Sequence, residues 1–312
     1  LIGIVLAAGK GMRMRPLSDL RPKSLLPLLD VPLMAWAMAR LVSAGVDRIY
    51  VNCNREQIGI PIAALSAGER LGVEVLISRE PAEPLGTAGA LKRLEPDLTE
   101  AFAVINADTA CDVNIQDLLD AHYSAKGIAT LLAIPAEKNA DFVVDEGWVK
   151  GLFRLGEKVR VGHLYGHCAV FEPEVLKYIP PHERSGLYET VLMGALQDDM
   201  GISALEWNGY FRDVGSPAAY LGANLDVLGG VVASQGIPEK FNDDQPVLST
   251  ATAFVGGGAN VTDVELRHTV VGRGAHIEAE SRLERCVVWD GAVIELGDYR
   301  DSILTGSSIV EV

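Results

Sequence analysis

From the first residue to about Gly230, short apolar runs alternate with amphipathic stretches. The opening run, residues 2–7, reads as a strand, and further strands are expected at 49–52, 73–77, 101–105 and 128–134. Between strands, the stretch from Leu33 to Ala44 carries Met34, Met38, Leu41 and Val42 at helical spacing, with Gly45 placed to end the helix. Other helices are expected at 60–67, 87–94 and 115–125. Strand–helix alternation of this kind predicts an α/β fold, with a mostly parallel sheet covered by helices on both faces. Residues 141–153 read as a hairpin turning at Asp145-Glu146-Gly147. Three further helices are expected at 173–178, 188–197 and 217–228. The last has Ser216 as its N-cap and Pro217 in first position.

The pattern changes around residues 235–244, a polar, turn-rich stretch. This predicts a large first domain at 1–234, a linker at 235–246 and a second domain at 247–312. In that second domain aliphatic residues recur six apart: Val255/Val261, Val271/Ile277/Leu283, Val287/Val293 and Ile303/Ile309. A six-residue repeat gives three short faces per turn, the signature of a parallel β-helix of three or four coils. An open antiparallel β domain is the alternative.

Composition narrows the partners. The 312 residues are 48% hydrophobic and 22% charged, which excludes disorder, collagen and coiled coil. Twenty-seven Lys and Arg against 42 Asp and Glu leave a net charge of −15, so neither nucleic acid nor an anionic membrane is an expected partner. No apolar run approaches the ~18 residues of a membrane span. The opening LIGIVLAAG lacks a basic n-region and reads as a buried strand, not a signal peptide. The missing initiator Met suggests a trimmed start. Cys53, Cys111, Cys168 and Cys286 are far apart and form no CxxC pair, which points to a reducing cytoplasm. His163, His167 and Cys168 lack a fourth ligand, so zinc is not expected. The four tryptophans are scattered and read as packing residues.

Against that acidic background one segment is basic. Lys10, Arg13, Arg15, Arg21 and Lys23 face a single anion, Asp19, a local charge of +4. The loop they flank, Gly9-Lys10-Gly11, directly follows the first strand. A glycine-rich loop there lets backbone N–H groups close on phosphate oxygens while cations neutralise them. This predicts a polyphosphate site. It is neither a dinucleotide fingerprint, because Met14 stands where the third glycine belongs, nor a Walker A loop.

The segment instead resembles the signature of the sugar-1-phosphate nucleotidyltransferases, or nucleotide-sugar pyrophosphorylases, written GxGTRxxPLT and then PKPLLPV. Gly9, Gly11, Arg13, Pro16 and Leu17 match the first part; Pro22, Lys23, Leu25, Leu26 and Pro27 match the second. Met12, Ser18 and Ser24 depart from it, and Met12 removes a hydroxyl beside the triphosphate. Three later blocks agree in order: Glu83-Pro-Leu-Gly-Thr-Ala-Gly-Ala90, Val104-Ile-Asn-Ala-Asp108 with Ala107 in place of Gly, and Gly209-Tyr-Phe-Arg-Asp-Val-Gly215. The resemblance implies a Rossmann-like catalytic sheet followed by a left-handed parallel β-helix. It implies attack of a sugar-1-phosphate oxygen on the α-phosphorus of an NTP, giving NDP-sugar and pyrophosphate.

That chemistry asks the protein to place two anions and neutralise accumulating charge. On the resemblance, the catalytic residues are Arg13, clamping the β- and γ-phosphates, Lys23, beside the α-phosphate, and Asp108. Asp108 and Asp213 would hold Mg²⁺, a hard ion suited to carboxylates, water and phosphate. The nucleotide site would comprise Leu6, Ala7, Ala8, Gly9, Gly11, Arg13, Lys23, Pro84, Gly86 and Thr87, with the Gly86-Thr87 backbone reading the base edge. For the sugar phosphate, Glu157 and Lys158 are candidates, and Asp141-Phe142 stands where many members place a Tyr-Gly pair against the sugar. The LGTAGA loop is most like that of GDP-mannose-forming members, implying GTP and mannose-1-phosphate; uridylyl or thymidylyl transfer is the alternative. A two-headed enzyme with acyl transfer at His268 and His276, and a non-catalytic nucleotide-sugar-binding homologue, are the other classes. The β-helix is a candidate surface for homo-oligomer formation.

Overall fold

The five residues Ile2–Leu6 form β1, paired in parallel with Arg48–Asn54 (β2) on one side. In a computed structural model describing residues 1–153, 161–232, 237–241 and 246–312, β1 lies inside a nine-stranded sheet. Glu74–Glu80 (β3) lies in parallel beyond β2, and Phe102–Asn106 (β4) pairs in parallel with the other side of β1. Parallel strands buried on both faces read as continuous apolar runs, and these are the strands that such runs predict.

Past β4 the sheet takes in Ala129–Ala136 (β5), the hairpin of Phe142–Asp145 (β6) and Trp148–Leu152 (β7), Gly162–Phe171 (β8) and Ile202–Glu206 (β9). The order is β3-β2-β1-β4-β8-β5-β9-β7-β6. Strand β8 runs antiparallel to both β4 and β5, so the sheet is mixed, not mostly parallel. Apolar periodicity carries no strand direction. β8 itself, broken by Gly162, His163, Gly166 and His167, escapes the apolar pattern, and so does β9.

The helices Leu33–Ser43 (α1), Gly59–Leu71 (α2), Gly86–Arg93 (α3) and Ile115–Ala125 (α4) form where the spacing predicts them. Asn114 caps α4 by accepting the Gln116 amide at 3.1 Å. The segment expected as one helix at 188–197 is a π-helical turn, Leu187–Leu192, running into Met193–Gln197 (α5). Helices do cover both faces of the sheet. Ile2 and Ile4 of β1 share a core with Ala88 and Leu91 of α3, while Gly3, pointing the other way, lies against Leu41 of α1. Phe142 is fully buried in that same core, so it cannot stand against a sugar. The chain runs from β1 to β2 on one side and places β4 on the other. The carboxyl ends of β1 and β4 therefore flank a switch point, where α/β sheets bind ligands. The Ala107 amide ties these ends together through Leu6 O at 3.0 Å.

Two compact units result: Leu1–Gly9 with Ala37–Ala107 and Val113–Phe211, and Lys10–Trp36 with Asp108–Asp112 and Arg212–Val312. In the second, Pro217–Leu228 forms α6, its Ser216 cap accepting the Ala219 amide at 3.3 Å. The C-terminal strands build three parallel ladders. One contains Ala253–Val255, Thr269–Val271, Val287–Val288 and Ser302–Leu304; the second Glu265–Arg267, Arg282–Glu284 and Asp298–Arg300; the third His276–Ile277 and Val293–Ile294. Val255 pairs with Val271, Val271 with Val288 and Val288 with Leu304, so the stride alternates between 16 and 17 residues. A strict period of six drifts against that stride. The inward residues are accordingly Val288, Ile294 and Leu304, whereas Val293 and Ile309 are exposed. Val287 and Ile303 are buried outside this inner cluster, in the ladder whose strands Thr269–Val271 and Ser302–Leu304 pack against α6.

Candidate active site

The basic segment of the second unit is not a free patch of positive charge. Arg13 Nη2 lies 3.3 Å from Asp213 Oδ2, Arg15 pairs with Asp19 at 3.0 Å, and Arg21 with Asp290 at 2.7 Å. Lys23 Nζ stands 2.5 Å from Asp108 Oδ2 and 3.8 Å from Asp213 Oδ1. Three carboxylates distant in sequence, Asp108, Asp213 and Asp290, therefore offset most of the +4 that the local count gives. Four groups expected to act together, Arg13, Asp213, Lys23 and Asp108, form one alternating chain of opposite charges.

Local structure explains this convergence. Gly11 adopts φ +63°, and a Cβ there would sit 3.2 Å from Ser18 Cβ and 3.3 Å from Lys23 Cβ. The bare backbone lets the loop fold back over Lys23. Ser18 Oγ donates to Gly11 O at 2.9 Å, fixing the return. Asp108 follows β4 by two residues, and its carbonyl accepts the Val214 amide at 3.0 Å. The short strand ending at Asp213 pairs with Thr109–Cys111, which brings the two aspartates to one lysine. Lys23 is mostly buried (11% exposed), Asp108 and Asp213 are 28% and 35% exposed, and Arg13 is largely open at 74%. Met12, at the position of the missing hydroxyl, is exposed.

Two carboxylates, partly open and adjacent, suit a hard divalent ion that takes its remaining ligands from water and phosphate. The donor chemistry fits Mg²⁺. Among the described residues no cluster of three or more His, Cys, Asp or Glu could hold a metal. His163 Nε2 lies 3.3 Å from Glu206, and Cys168 is buried. His268 and His276 are both exposed.

In the first unit, the start of the glycine loop is wired inward. Asn52 Oδ1 accepts the amides of Ala7 at 2.5 Å and Ala8 at 3.2 Å, so these two N–H groups do not await phosphate oxygens. Asn52 Nδ2 in turn donates to Glu80 Oε1 at 2.6 Å, and Glu80 Oε2 accepts the Leu85 amide at 2.8 Å. Asn52 and Glu80 are buried. A continuous polar bridge thus runs from the glycine loop to the Pro84–Gly86 loop. The sequence names both loops and misses the bridge, whose only signal is two polar residues near the ends of apolar strands.

Gly86 takes φ +78°, and a Cβ on it would fall 2.5 Å from Ser185 O. That carbonyl accepts the amides of Ala88 at 3.0 Å and Gly89 at 3.3 Å, while Ser185 N donates to Leu85 O at 2.8 Å. Ser185 therefore occupies two amides of the α3 first turn, and Gly86-Thr87 precede them. It too is absent from the motif reading. Around the Asp141-Phe142 pair, Asp141 Oδ2 accepts the Tyr165 amide at 2.9 Å, and Tyr188 donates its hydroxyl to Phe153 O. Glu157 and Lys158 lie outside the described residues.

Known proteins resemble this chain over most of its length. The family model described as Nucleotidyl transferase matches residues 2–229. A mannose-1-phosphate guanylyltransferase of Mycobacterium tuberculosis is 27% identical over 304 residues, covering 94% of this chain and 81% of its own. The mannose-1-phosphate guanylyltransferase catalytic subunit beta of Danio rerio is 28% identical over 333 residues, covering 98% and 91%. The structure of HddC from Yersinia pseudotuberculosis complexed with GMP-PN aligns with a TM-score of 0.60 at 22% identity, over 72% of this chain and 99% of that one. At that identity the likeness is one of fold.

Proposed function

Because the chain belongs to the nucleotidyl transferase family, and is by that membership a nucleotidyltransferase, we propose GTP and mannose-1-phosphate as its substrates. The products are then GDP-mannose and pyrophosphate. In the transfer, a sugar-phosphate oxygen forms its bond to the α-phosphorus in line as the bond to the β-phosphate oxygen breaks. The electron pair leaves with pyrophosphate. The observation that carries this reading is the chain Arg13–Asp213–Lys23–Asp108, two cations alternating with two carboxylates.

Each member has a role that follows from its charge and exposure. Arg13, open and planar, clamps the β- and γ-phosphates with paired hydrogen bonds. Lys23, fixed by its partners, sits by the α-phosphate as a point charge that offsets negative charge in the transition state. Asp108 and Asp213 hold Mg²⁺, which supplies neutralisation and orientation of the phosphate oxygens when bound. Leu6, Ala7, Ala8, Gly9 and Gly11 border the nucleotide, and Pro84, Gly86 and Thr87 read the base. Asn52 and Glu80 hold those two stretches in shape. Glu157 and Lys158 remain the proposed sugar-phosphate contacts. Support for the choice of guanosine and mannose comes from the names of the two relatives and from the LGTAGA loop; uridylyl or thymidylyl transfer is the alternative.

The three ladders with their stride of 16 and 17 residues support a left-handed parallel β-helix over 247–312, following the catalytic domain 1–234 and the linker 235–246. It is the surface proposed for pairing with a second copy. Among the described residues no helix is long and apolar enough to cross a membrane. Four buried cysteines that form no disulfide support a cytoplasmic setting.

The test is pyrophosphate release with Mg²⁺, each common NTP and a panel of sugar-1-phosphates. Fastest turnover with GTP and mannose-1-phosphate supports the reading, and another preferred pair replaces the substrates. The exposed Met12 favours one second reading, a homologue that binds nucleotide sugar without turnover. Binding of an NDP-sugar with no turnover of any pair selects it.

A further inference from the structure

Inside the second unit, the C-terminal ladders grip the segment that carries Lys23 at two points. The first is Arg21. Its guanidinium makes a two-pronged contact with Asp290, Nη1 to Oδ1 at 2.7 Å and Nη2 to Oδ2 at 3.1 Å. The same guanidinium lies 4.8 Å from the ring centre of the buried Trp289. The second point is Asp30. It accepts the Arg273 amide on Oδ1 at 3.2 Å, and Arg273 Nε lies 3.5 Å from Oδ2. The Asp30 side chain is only 4% exposed.

Between these anchors the chain turns in a conformation it would not choose alone. Pro27–Leu28 pairs antiparallel with Val31–Pro32 around Leu29 and Asp30, whose φ values are +45° and +65°. A two-residue hairpin turn with both central residues left-handed favours Asn-Gly, not Leu-Asp. Such residues persist only where the surroundings over-determine them. Here the Leu29 amide donates to Asn224 Oδ1 at 3.0 Å, and Tyr220 donates its hydroxyl to Pro27 O at 2.6 Å. With Arg273 on Asp30, every residue from 27 to 30 except Leu28 is held from α6 or from the ladders. Leu28 is held from within the segment, its carbonyl accepting Trp36 Nε1 at 3.1 Å.

Lys23 lies two residues past the first anchor, at the head of the short helical turn Lys23–Leu25. We propose that Asp290 and Arg273 are positioning residues for nucleotidyl transfer, acting through Arg21 and Asp30 to hold Lys23 in its working orientation. The C-terminal ladders are then part of the catalytic apparatus and not an appendage to it. The proposal rests on the role given to Lys23 above. A loosened segment leaves the phosphate-binding groups in place but lets the lysine wander, so the loss falls on kcat and not on KM for the NTP.

The experiment uses the full chain as wild type, D290N, D290E, R21D and the exchanged pair R21D/D290R. Steady-state pyrophosphate release is measured with the substrate pair that wild type turns over, and hydrogen–deuterium exchange is followed for the amides of 22–30. D290N is expected to lower kcat about tenfold with the NTP KM within about twofold. D290E should recover most of the loss, and the exchanged pair should outperform R21D. Exchange over 22–30 should quicken in D290N while β1 and β4 are unchanged. Wild-type kcat and unchanged exchange in D290N overturn the proposal, as does an exchanged pair no better than R21D. Should D290N fail to fold, R273Q reads the second anchor by the same two measurements. A wild-type protein inactive on every pair defeats the functional reading instead, and the exchange data still decide whether Asp290 holds the segment.

Discussion

Lys23 and Asp108 lie 85 residues apart in sequence and 2.5 Å apart in space, with Asp213 3.8 Å from the same ammonium. One cation thus serves two carboxylates that are also the proposed metal ligands. Replacing Asp108 by Asn removes a ligand charge and frees Lys23 to lean on Asp213. Turnover should fall by about 10²–10³-fold, the scale of losing one transition-state charge partner. Since Asp108 is partly hydrated and the mostly buried Lys23 keeps Asp213 at 3.8 Å, the thermal midpoint should move by only a few degrees. Pyrophosphate release and a thermal melt measured together check this; near-normal turnover would mean that the metal is placed wrongly.

Asn52 is the hub of the inward wiring, accepting two amides and donating to Glu80. In Asn52→Ala those buried groups lose their partner, at a cost of about 2–4 kcal/mol from denaturant unfolding. The NTP KM should rise as well, because both loops proposed to border the nucleotide lose their tether. A variant as stable as wild type would show that water replaces the side chain.

Gly86→Ala tests the loop proposed to read the base. The left-handed backbone and the 2.5 Å approach to Ser185 O leave no room for a methyl group. The expected cost is about 1–3 kcal/mol, together with a higher KM for the NTP and a smaller change in kcat. Titration of nucleotide binding by calorimetry separates the two effects.

A pH effect on stability should trace to His122. Its ring is buried (1% exposed), with Nδ1 2.8 Å from Thr130 Oγ1. Burial pushes the imidazole below its ordinary value of 6.5, against the upward pull of Glu172. The unfolded chain therefore binds a proton more readily than the folded one. The stability contribution is present above 6.5 and is lost as pH falls from there through the lowered folded value. His122→Gln should flatten the urea midpoint over that window, whereas an unchanged slope would assign the effect elsewhere.

What the sequence conveys is local. The cations of 10–23, the glycines at 9, 11 and 86 and the aspartates at 108 and 213 all lie within short motifs whose chemistry can be read in place. Their partners cannot. Asn52, Glu80 and Ser185 act through bonds to segments far along the chain, and nothing in their immediate neighbours marks them. The Arg21–Asp290 contact spans 269 residues. The same limit explains the sheet, since β8 turns a parallel arrangement into a mixed one without an apolar run to announce it. In the C-terminal ladders the six-residue repeat is visible, but the stride of 16 and 17 residues shifts the inner face from Val287 and Ile303 to Val288 and Leu304.

The longest C-terminal ladder ends at both extremes in a reversed strand, Leu248–Ser249 against Ala253–Val255 and Ile309–Glu311 against Ser302–Leu304. Left as an open parallel edge, such a repeat is a template on which identical chains can add without limit. The reversed strands take up that parallel edge at each end. At two and three residues long, these end strands offer a stacked copy too little backbone to extend the ladder.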